Sequence, residues 1–154
     1  MKASTIFRRT APVVLVAAAF ALAGCETMSS MWSSTKSMFG GGKVTLSGSQ
    51  QVPPVTTSAS GSAAIKVGSD KSVSGSVTTS GVNGTAAHIH MGAAGQAGPV
   101  AVPLAKGADG TTWSVPAGAK LTDAQYEAYK AGNLYVNVHS AANKGGEIRG
   151  QLKP

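Results

Sequence analysis

The chain of 154 residues is long enough for one ordinary domain preceded by a leader. Its 20 glycines, together with only 5% aromatic and 12% charged residues, favour a β-rich domain with many turns over a helical bundle. The formal net charge is +7, but the basic residues are scattered and form no stripe interleaved with aromatic residues, which argues against nucleic acid as a partner.

The first 24 residues are predicted to be a signal peptide that is not part of the fold. Basic residues at positions 2, 8 and 9 precede an apolar run, 11–23, that is too short to span a membrane as a helix. The run leads into Leu-Ala-Gly-Cys25, which resembles the lipobox of bacterial lipoproteins. In that family the signal is removed before the cysteine, which then receives the lipid. The alternative is an ordinary secretory signal followed by a chance cysteine.

Cys25 is the only cysteine of the chain, so it has no disulfide partner within it. It is followed by Glu26, whereas an aspartate there is associated with retention at the inner membrane of enteric bacteria. The resemblance therefore implies a lipid-anchored protein of the bacterial cell envelope, at the outer membrane and facing the periplasm. The membrane is its expected partner, and the sequence indicates no particular protein partner.

Residues 25–42 are predicted to form a flexible tether, because they are rich in serine and end in three glycines. The larger apolar residues of this segment fall roughly on one helical face: Met28, Met31, Trp32, Met38 and Phe39. This pattern leaves open a short segment lying in the membrane interface, or a methionine cluster for Cu(I).

Residues 43–154 are predicted to form the folded domain, built from short strands separated by turns. The strands are expected at residues 43–48, 63–67, 72–79, 85–90, 100–104, 111–115, 134–139 and 147–152. Thr122 and Gln125 have the spacing of a capping box, so one short helix should run from there through Tyr129 and stop at Gly132. Short strands at regular spacing indicate a sandwich or a barrel.

All three histidines of the chain lie on two of these predicted strands. His88 and His90 are two residues apart, so they share one face of their strand at a separation of about 6.6 Å, while Ile89 points into the core. His139 lies on the polar face of the strand 134–139. If the two strands are neighbours, the three imidazoles converge on the outside of a sheet.

Three imidazoles suit copper or zinc and leave an open position for water or substrate. Met91 follows His90 directly, but it should point to the opposite face of the strand and is not counted as a ligand. The alternative is that the chain has three surface histidines that never meet.

The folded domain resembles the CHRD domain, named after chordin, in several motifs that agree in order and spacing. These motifs lie at residues 46–48, 51–54, 87–92, 98–100, 132–139 and 145–152. The resemblance covers nearly everything from residue 43 to residue 153, and such domains occur in bacterial envelope proteins as well as in chordin. It implies an all-β fold with one short helix, a Greek-key β-sandwich or barrel similar to Cu,Zn superoxide dismutase.

The comparison with superoxide dismutase implies roles for individual residues. His88 and His90 resemble the dismutase His-x-His that supplies two copper ligands, and His139 stands for the ligand that comes late in the chain. Arg149 could stand for the dismutase arginine that guides anions, but a purely structural role is preferred, in which it pairs with Glu147 on the same strand face or with nothing. A histidine for the bridging or fourth copper position, the zinc loop and the dismutase disulfide have no counterpart in this sequence.

Asn137 and Glu147 are further candidates to orient an imidazole ring from outside the ligand set. No catalytic residue is assigned, because the sequence offers no nucleophile–base pair and no phosphate-binding glycine loop. The predicted function is a lipid-anchored binding module that holds one copper ion, with zinc as the alternative metal. A reduced, copper-only enzyme similar to superoxide dismutase and a metal-free structural or adhesive module remain as alternative functions.

Overall fold

Alternating apolar and polar side chains build nine strands within residues 42–154, the part of the chain that the computed structural model describes. The strands are β1 (Lys43–Ser47), β2 (Ser60–Val67), β3 (Val73–Ser80), β4 (Gly84–Met91), β5 (Val100–Pro103), β6 (Ala105–Lys106), β7 (Thr112–Ser114), β8 (Leu134–Ser140) and β9 (Ile148–Gln151). The predicted signal peptide, Cys25 and the predicted tether up to residue 41 lie outside the described residues.

The nine strands form a single antiparallel sheet in the order β5-β4-β8-β9-β1-β2-β3-β7-β6. The strands at its two ends, β5 and β6, are separated in the chain only by Leu104. The main-chain N–H of Leu104 donates to the carbonyl of Ala87 on β4 at 3.0 Å. Because one residue joins the two edges, the sheet must curl round into a nearly closed barrel. The predicted mostly β fold is thereby confirmed, in its barrel form.

The barrel interior is filled by the residues that alternation assigns to one face of each strand. On β8, Val136 and Val138 are fully buried, as are Leu46 on β1 and Val77 on β3. The largest fully buried side chain is Trp113 on β7. Burial of each of these apolar side chains contributes about 1.5–3 kcal/mol relative to its exposure.

One helix, α1 (Asp123–Lys130), lies between β7 and β8. The Thr122 hydroxyl accepts from the main-chain N–H of Gln125, and the Gln125 side chain accepts from the main-chain N–H of Thr122, which confirms the predicted capping box. Gly132 follows the helix with a φ of 74°, a left-handed conformation that glycine adopts readily. Within residues 42–154, no helix has the length and apolar character needed to cross a membrane.

The outer face of β4, β8 and β9 is covered by two loops. Gln51, in the segment after β1, is buried and donates to the side chain of Asn137 on β8 at 2.6 Å. The β4–β5 loop, residues 92–99, is held by Arg149 on β9 through main-chain carbonyls. The polar face that carries the histidines therefore lies outside the barrel core, but the loops shield much of it from solvent.

Candidate metal centre

Strands β4 and β8 are neighbours, as convergence of the histidines requires. In the antiparallel register His88 lies opposite Asn137, His90 lies opposite Tyr135, and Ala86 lies opposite His139. Residues two apart share a face, so His88, His90 and His139 all project from the same side of this strand pair. The pairing of the two strands confirms the predicted meeting of the three imidazoles.

The three imidazole rings form one cluster. Their centroids are 5.4 Å apart for His88 and His90, 5.0 Å for His88 and His139, and 5.8 Å for His90 and His139. One ring nitrogen from each residue lies within 4.8 Å of the others. Two nitrogens bound to one ion by bonds of about 2.0 Å are at most about 4 Å apart, so small side-chain adjustments suffice for all three to bind. The cluster could therefore hold a metal ion.

Main-chain carbonyls determine which nitrogen two of the rings present. His90 Nδ1 lies 2.9 Å from the Gly98 carbonyl, and His139 Nδ1 lies 2.9 Å from the Lys144 carbonyl. Because a carbonyl only accepts, each Nδ1 carries the hydrogen and each Nε2 keeps its lone pair. In His139 this Nε2 lies 3.1 Å from His88 Nδ1, inside the cluster, and can accept from it.

Burial favours the neutral, metal-binding form of His88 and His90. His90 is only 8% exposed, and His88 and His139 are half-buried. Burial lowers the pKa of His88 below its ordinary value, and the nearby His139 and His90 lower it further. Burial also lowers the pKa of His90, although its bond to the Gly98 carbonyl favours the protonated ring. At neutral pH the lowered pKa values leave both rings able to bind a metal.

His90 Nε2 is buried and has no hydrogen-bond partner among the described residues. Leaving a buried polar atom without a partner costs about 1–3 kcal/mol, so such atoms are rare in folded proteins. A metal ion held by the cluster would supply the missing partner. Within residues 42–154, no other group of three histidine, cysteine or acidic side chains is arranged to hold an ion.

Two further side chains form a stack with His90. The Tyr135 ring stacks on the His90 ring, with centroids 5.0 Å apart and an interplanar angle of 9°. The Arg149 guanidinium lies 3.5 Å from the centroid of the same Tyr135 ring. Because β4 and β9 flank β8 on opposite sides, Tyr135 lies between the histidine and the arginine.

Asn137, Glu147 and Arg149, the residues predicted to surround the ligands, contact the covering loops. Asn137 accepts from Gln51 and donates to the Gly145 carbonyl at 3.0 Å. Glu147 accepts from the Thr57 hydroxyl at 2.8 Å. The hydrogen bonds of Arg149 go to the loop carbonyls and to the Gln151 side chain. The ring nitrogens of His90 and His139 are instead oriented by main-chain carbonyls.

Sequence reasoning missed Tyr135, Gly98 and Lys144 as parts of the site. Tyr135 could have been found, because alternation places it on the same polar face of β8 as His139. Gly98 and Lys144 contribute only main-chain oxygens. Every residue type has such an oxygen, so no side-chain pattern could have indicated them.

A family model described as the CHRD domain matches residues 43–152, which covers most of the chain and nearly all of its described part. No curated protein and no solved structure significantly matches the chain.

Proposed function

The chain belongs to the CHRD domain family, and we propose that it is a metal-binding module of the bacterial cell envelope. In this proposal His88, His90 and His139 hold one copper ion. Copper is the favoured metal because imidazole suits it and because it has the highest affinity of the divalent first-row metals for a given nitrogen site. Zinc is the alternative, since three histidines with an open fourth position also suit it.

The observation that carries the proposal is the buried, unpartnered Nε2 of His90. A metal-free structural or adhesive module explains part of the cluster, because His88 and His139 can hydrogen-bond to each other at 3.1 Å. It does not explain why His90 presents a free lone pair to the same space. A bound cation accounts for all three rings at once, because each presents a nitrogen within reach of a common ion.

The test is titration of the purified chain with copper and with zinc separately, followed by elemental analysis. We expect one copper ion per chain, and we expect His139→Ala to weaken binding by at least about 10-fold. Glu127→Ala is the control, because it removes an exposed carboxylate of α1 that is outside the cluster. Equal copper affinity in wild type and His139→Ala would rule out a site formed by the three histidines.

The enzyme alternative, a copper-only dismutase, has less support. Such an enzyme needs a positive charge accessible to approaching anions. Arg149 is 2% exposed and its guanidinium donates to two carbonyls of the β4–β5 loop. The copper-loaded chain is therefore expected to remove superoxide no faster than the same buffer without protein. Turnover well above that level, lost in His139→Ala, would favour the enzyme.

We also propose that the chain is a lipoprotein, with a signal peptide at residues 1–24, a lipidated Cys25 beginning a tether at 25–42, and the CHRD domain at 43–154. The lipobox-like sequence supports this arrangement, with attachment to the outer membrane facing the periplasm. Cys25→Ser is expected to release the chain from the membrane fraction, whereas Thr27→Ser should leave it bound. Retention of Cys25→Ser with the membranes would contradict lipid anchoring.

For the fold, we infer a Greek-key connectivity similar to that of Cu,Zn superoxide dismutase. Strands β1, β2 and β3 are sequential neighbours, but the chain then continues into β4, which is separated from β1 by β9 and β8. Only three residues join β3 to β4, yet the two strands are not paired with each other, and this order supports a Greek key rather than an up-and-down barrel. An experimental structure in which every strand pairs only with its sequence neighbours would overturn this inference.

A further inference from the structure

Arg149 is a buried cation without an acidic partner. The ion pairs found within residues 42–154 do not include it. Its guanidinium donates to the carbonyls of Gln96 and Ala93, both at 2.8 Å, and to the Gln151 side chain at 3.1 Å. Burial of a charge is costly unless hydrogen bonds compensate for it. Here neutral oxygens provide that compensation, and two of them belong to the main chain of one loop, residues 92–99.

The same loop places the Gly98 peptide beside His90. The main-chain N–H of Gly98 donates to the Tyr135 hydroxyl at 3.1 Å, and its carbonyl accepts from His90 Nδ1 at 2.9 Å. The base of the loop is closed by the main-chain N–H of Met91, which donates to the Pro99 carbonyl at 2.9 Å. The position of the Gly98 carbonyl therefore depends on how the whole loop is held.

Arg149 also packs over the Tyr135 ring, at 3.5 Å from its centroid. Stacking of a guanidinium on an aromatic face is favourable and restricts the orientation of the ring. The Tyr135 ring in turn stacks on His90. One side chain thus acts on His90 by two routes, through the loop to its Nδ1 and through Tyr135 to its ring face.

We propose that Arg149 is a positioning residue that keeps His90 in the tautomer with hydrogen on Nδ1 and a free Nε2 directed at the cluster. The importance of this tautomer for metal binding rests on the proposed function. The effect of Arg149 on the His90 tautomer is a property of the metal-free chain. In this role Arg149, on β9, holds the loop 92–99 in place. Its positive charge does not guide an anion to the site.

The experiment compares Arg149→Lys and Tyr135→Phe with wild type. A lysine keeps the charge, but it has no planar fork to donate to two carbonyls while stacking on Tyr135. Tyr135→Phe keeps the ring and removes only the hydroxyl that holds the Gly98 N–H. Tyr129→Phe is the matched control, because its hydroxyl bonds the Lys153 carbonyl away from the histidines.

Two readouts are needed, nitrogen-15 NMR of the histidine rings in the metal-free chain at about pH 8 and the copper affinity. In wild type we expect one His90 tautomer, with hydrogen on Nδ1. In Arg149→Lys we expect a mixture of tautomers and a copper affinity about 10- to 100-fold lower. Tyr135→Phe should change both readouts in the same direction but less, and Tyr129→Phe should change neither. If Arg149→Lys does not fold, as judged by circular dichroism, Arg149→Gln is measured in its place, because it also removes the charged fork that donates to the two loop carbonyls.

The outcomes separate the two proposals. A single His90 tautomer that persists unchanged in Arg149→Lys and Tyr135→Phe overturns the positioning role, whether or not copper binds. Loss of that tautomer in the variants supports the role even if wild type binds no copper, a result that would overturn only the proposed function. Weaker copper binding with an unchanged tautomer also overturns the positioning role, since Arg149 would then act by some other route.

Discussion

His88 Nδ1 lies 3.1 Å from His139 Nε2, although the two residues are 51 positions apart in the chain. His139 Nδ1 donates to the Lys144 carbonyl, so its Nε2 must be the acceptor of this contact. In the metal-free chain His88 Nδ1 therefore carries the hydrogen. If the proposed metal bound at this nitrogen, the hydrogen would have to leave Nδ1, so the tautomer of His88 would change on binding.

Copper affinity is expected to fall as the pH is lowered below 6.5. Protons compete for the same lone pairs, and protonated imidazole binds no metal. Since the pKa values of His88 and His90 are lowered from 6.5, affinity should be nearly constant above that pH and decline below it. Each histidine that becomes protonated contributes up to about a tenfold loss per pH unit. Titrations from about pH 8 to pH 5 measure this, and an affinity that rises as pH falls would exclude histidine ligation.

The metal-free chain is expected to lose stability over the same range. The unfolded state holds its histidines at their ordinary pKa of 6.5, whereas the pKa values of His88 and His90 are lower in the folded state. The unfolded chain therefore binds more protons in this window. The stabilisation is complete above pH 6.5 and is lost as pH falls through the folded-state pKa values.

Urea unfolding at about pH 7.5 and about pH 5.5, with a chelator present, measures this loss of stability. A variant with both His88→Gln and His90→Gln is the control, since it should show a smaller difference between the two pH values. An equal difference in both chains would mean that other groups cause the pH dependence.

Removing the side chain between His88 and His90 should destabilise the barrel. Ile89 is 1% exposed and points into the core, so Ile89→Ala leaves a cavity and is expected to cost about 2–5 kcal/mol. Val100→Ala on the neighbouring strand β5 is the control. Because Val100 is 48% exposed, its substitution should change the unfolding free energy by less than about 0.5 kcal/mol. Similar losses in both variants, measured by urea unfolding, would contradict the inward orientation of Ile89.

Much of the barrel was predictable because its longer strands mostly alternate between apolar and polar side chains. On β8 the pattern separates Val136 and Val138, in the core, from Tyr135 and His139 on the outer face. Strand β6, Ala105–Lys106, was not predicted, because two residues are too few to show any alternation. The pairing that forms it depends on the curvature of the whole sheet.

Only those parts of the site that depend on side-chain spacing along the strands could be predicted from the sequence. The i, i+2 spacing of His88 and His90 and the polar position of His139 indicated the cluster correctly. Arg149 was expected to face outward, and it does project from the core, but it is buried because the loop 92–99 folds over it. That loop has no periodic pattern, so its path and the carbonyls it presents could not be read from residue types.

Gly98→Ala should damage both stability and metal binding. A Cβ at Gly98 would lie 1.7 Å from the main-chain oxygen of Met91, so the backbone must move. Since the Gly98 carbonyl lies 2.9 Å from His90 Nδ1 and accepts from it, the movement also disturbs the His90 ring. We expect a loss of about 1–3 kcal/mol in unfolding free energy and at least about a tenfold loss of copper affinity.

The matched control for Gly98→Ala is Gly145→Ala, in the β8–β9 loop beside the cluster. A Cβ at Gly145 meets nothing within 4 Å, and its carbonyl remains available to accept from Asn137. This variant should therefore stay within about 0.5 kcal/mol of wild type and keep its copper affinity. Urea unfolding and copper titration of the two variants decide the matter. If Gly98→Ala binds copper as tightly as Gly145→Ala does, the Gly98 carbonyl does not orient His90 for the metal.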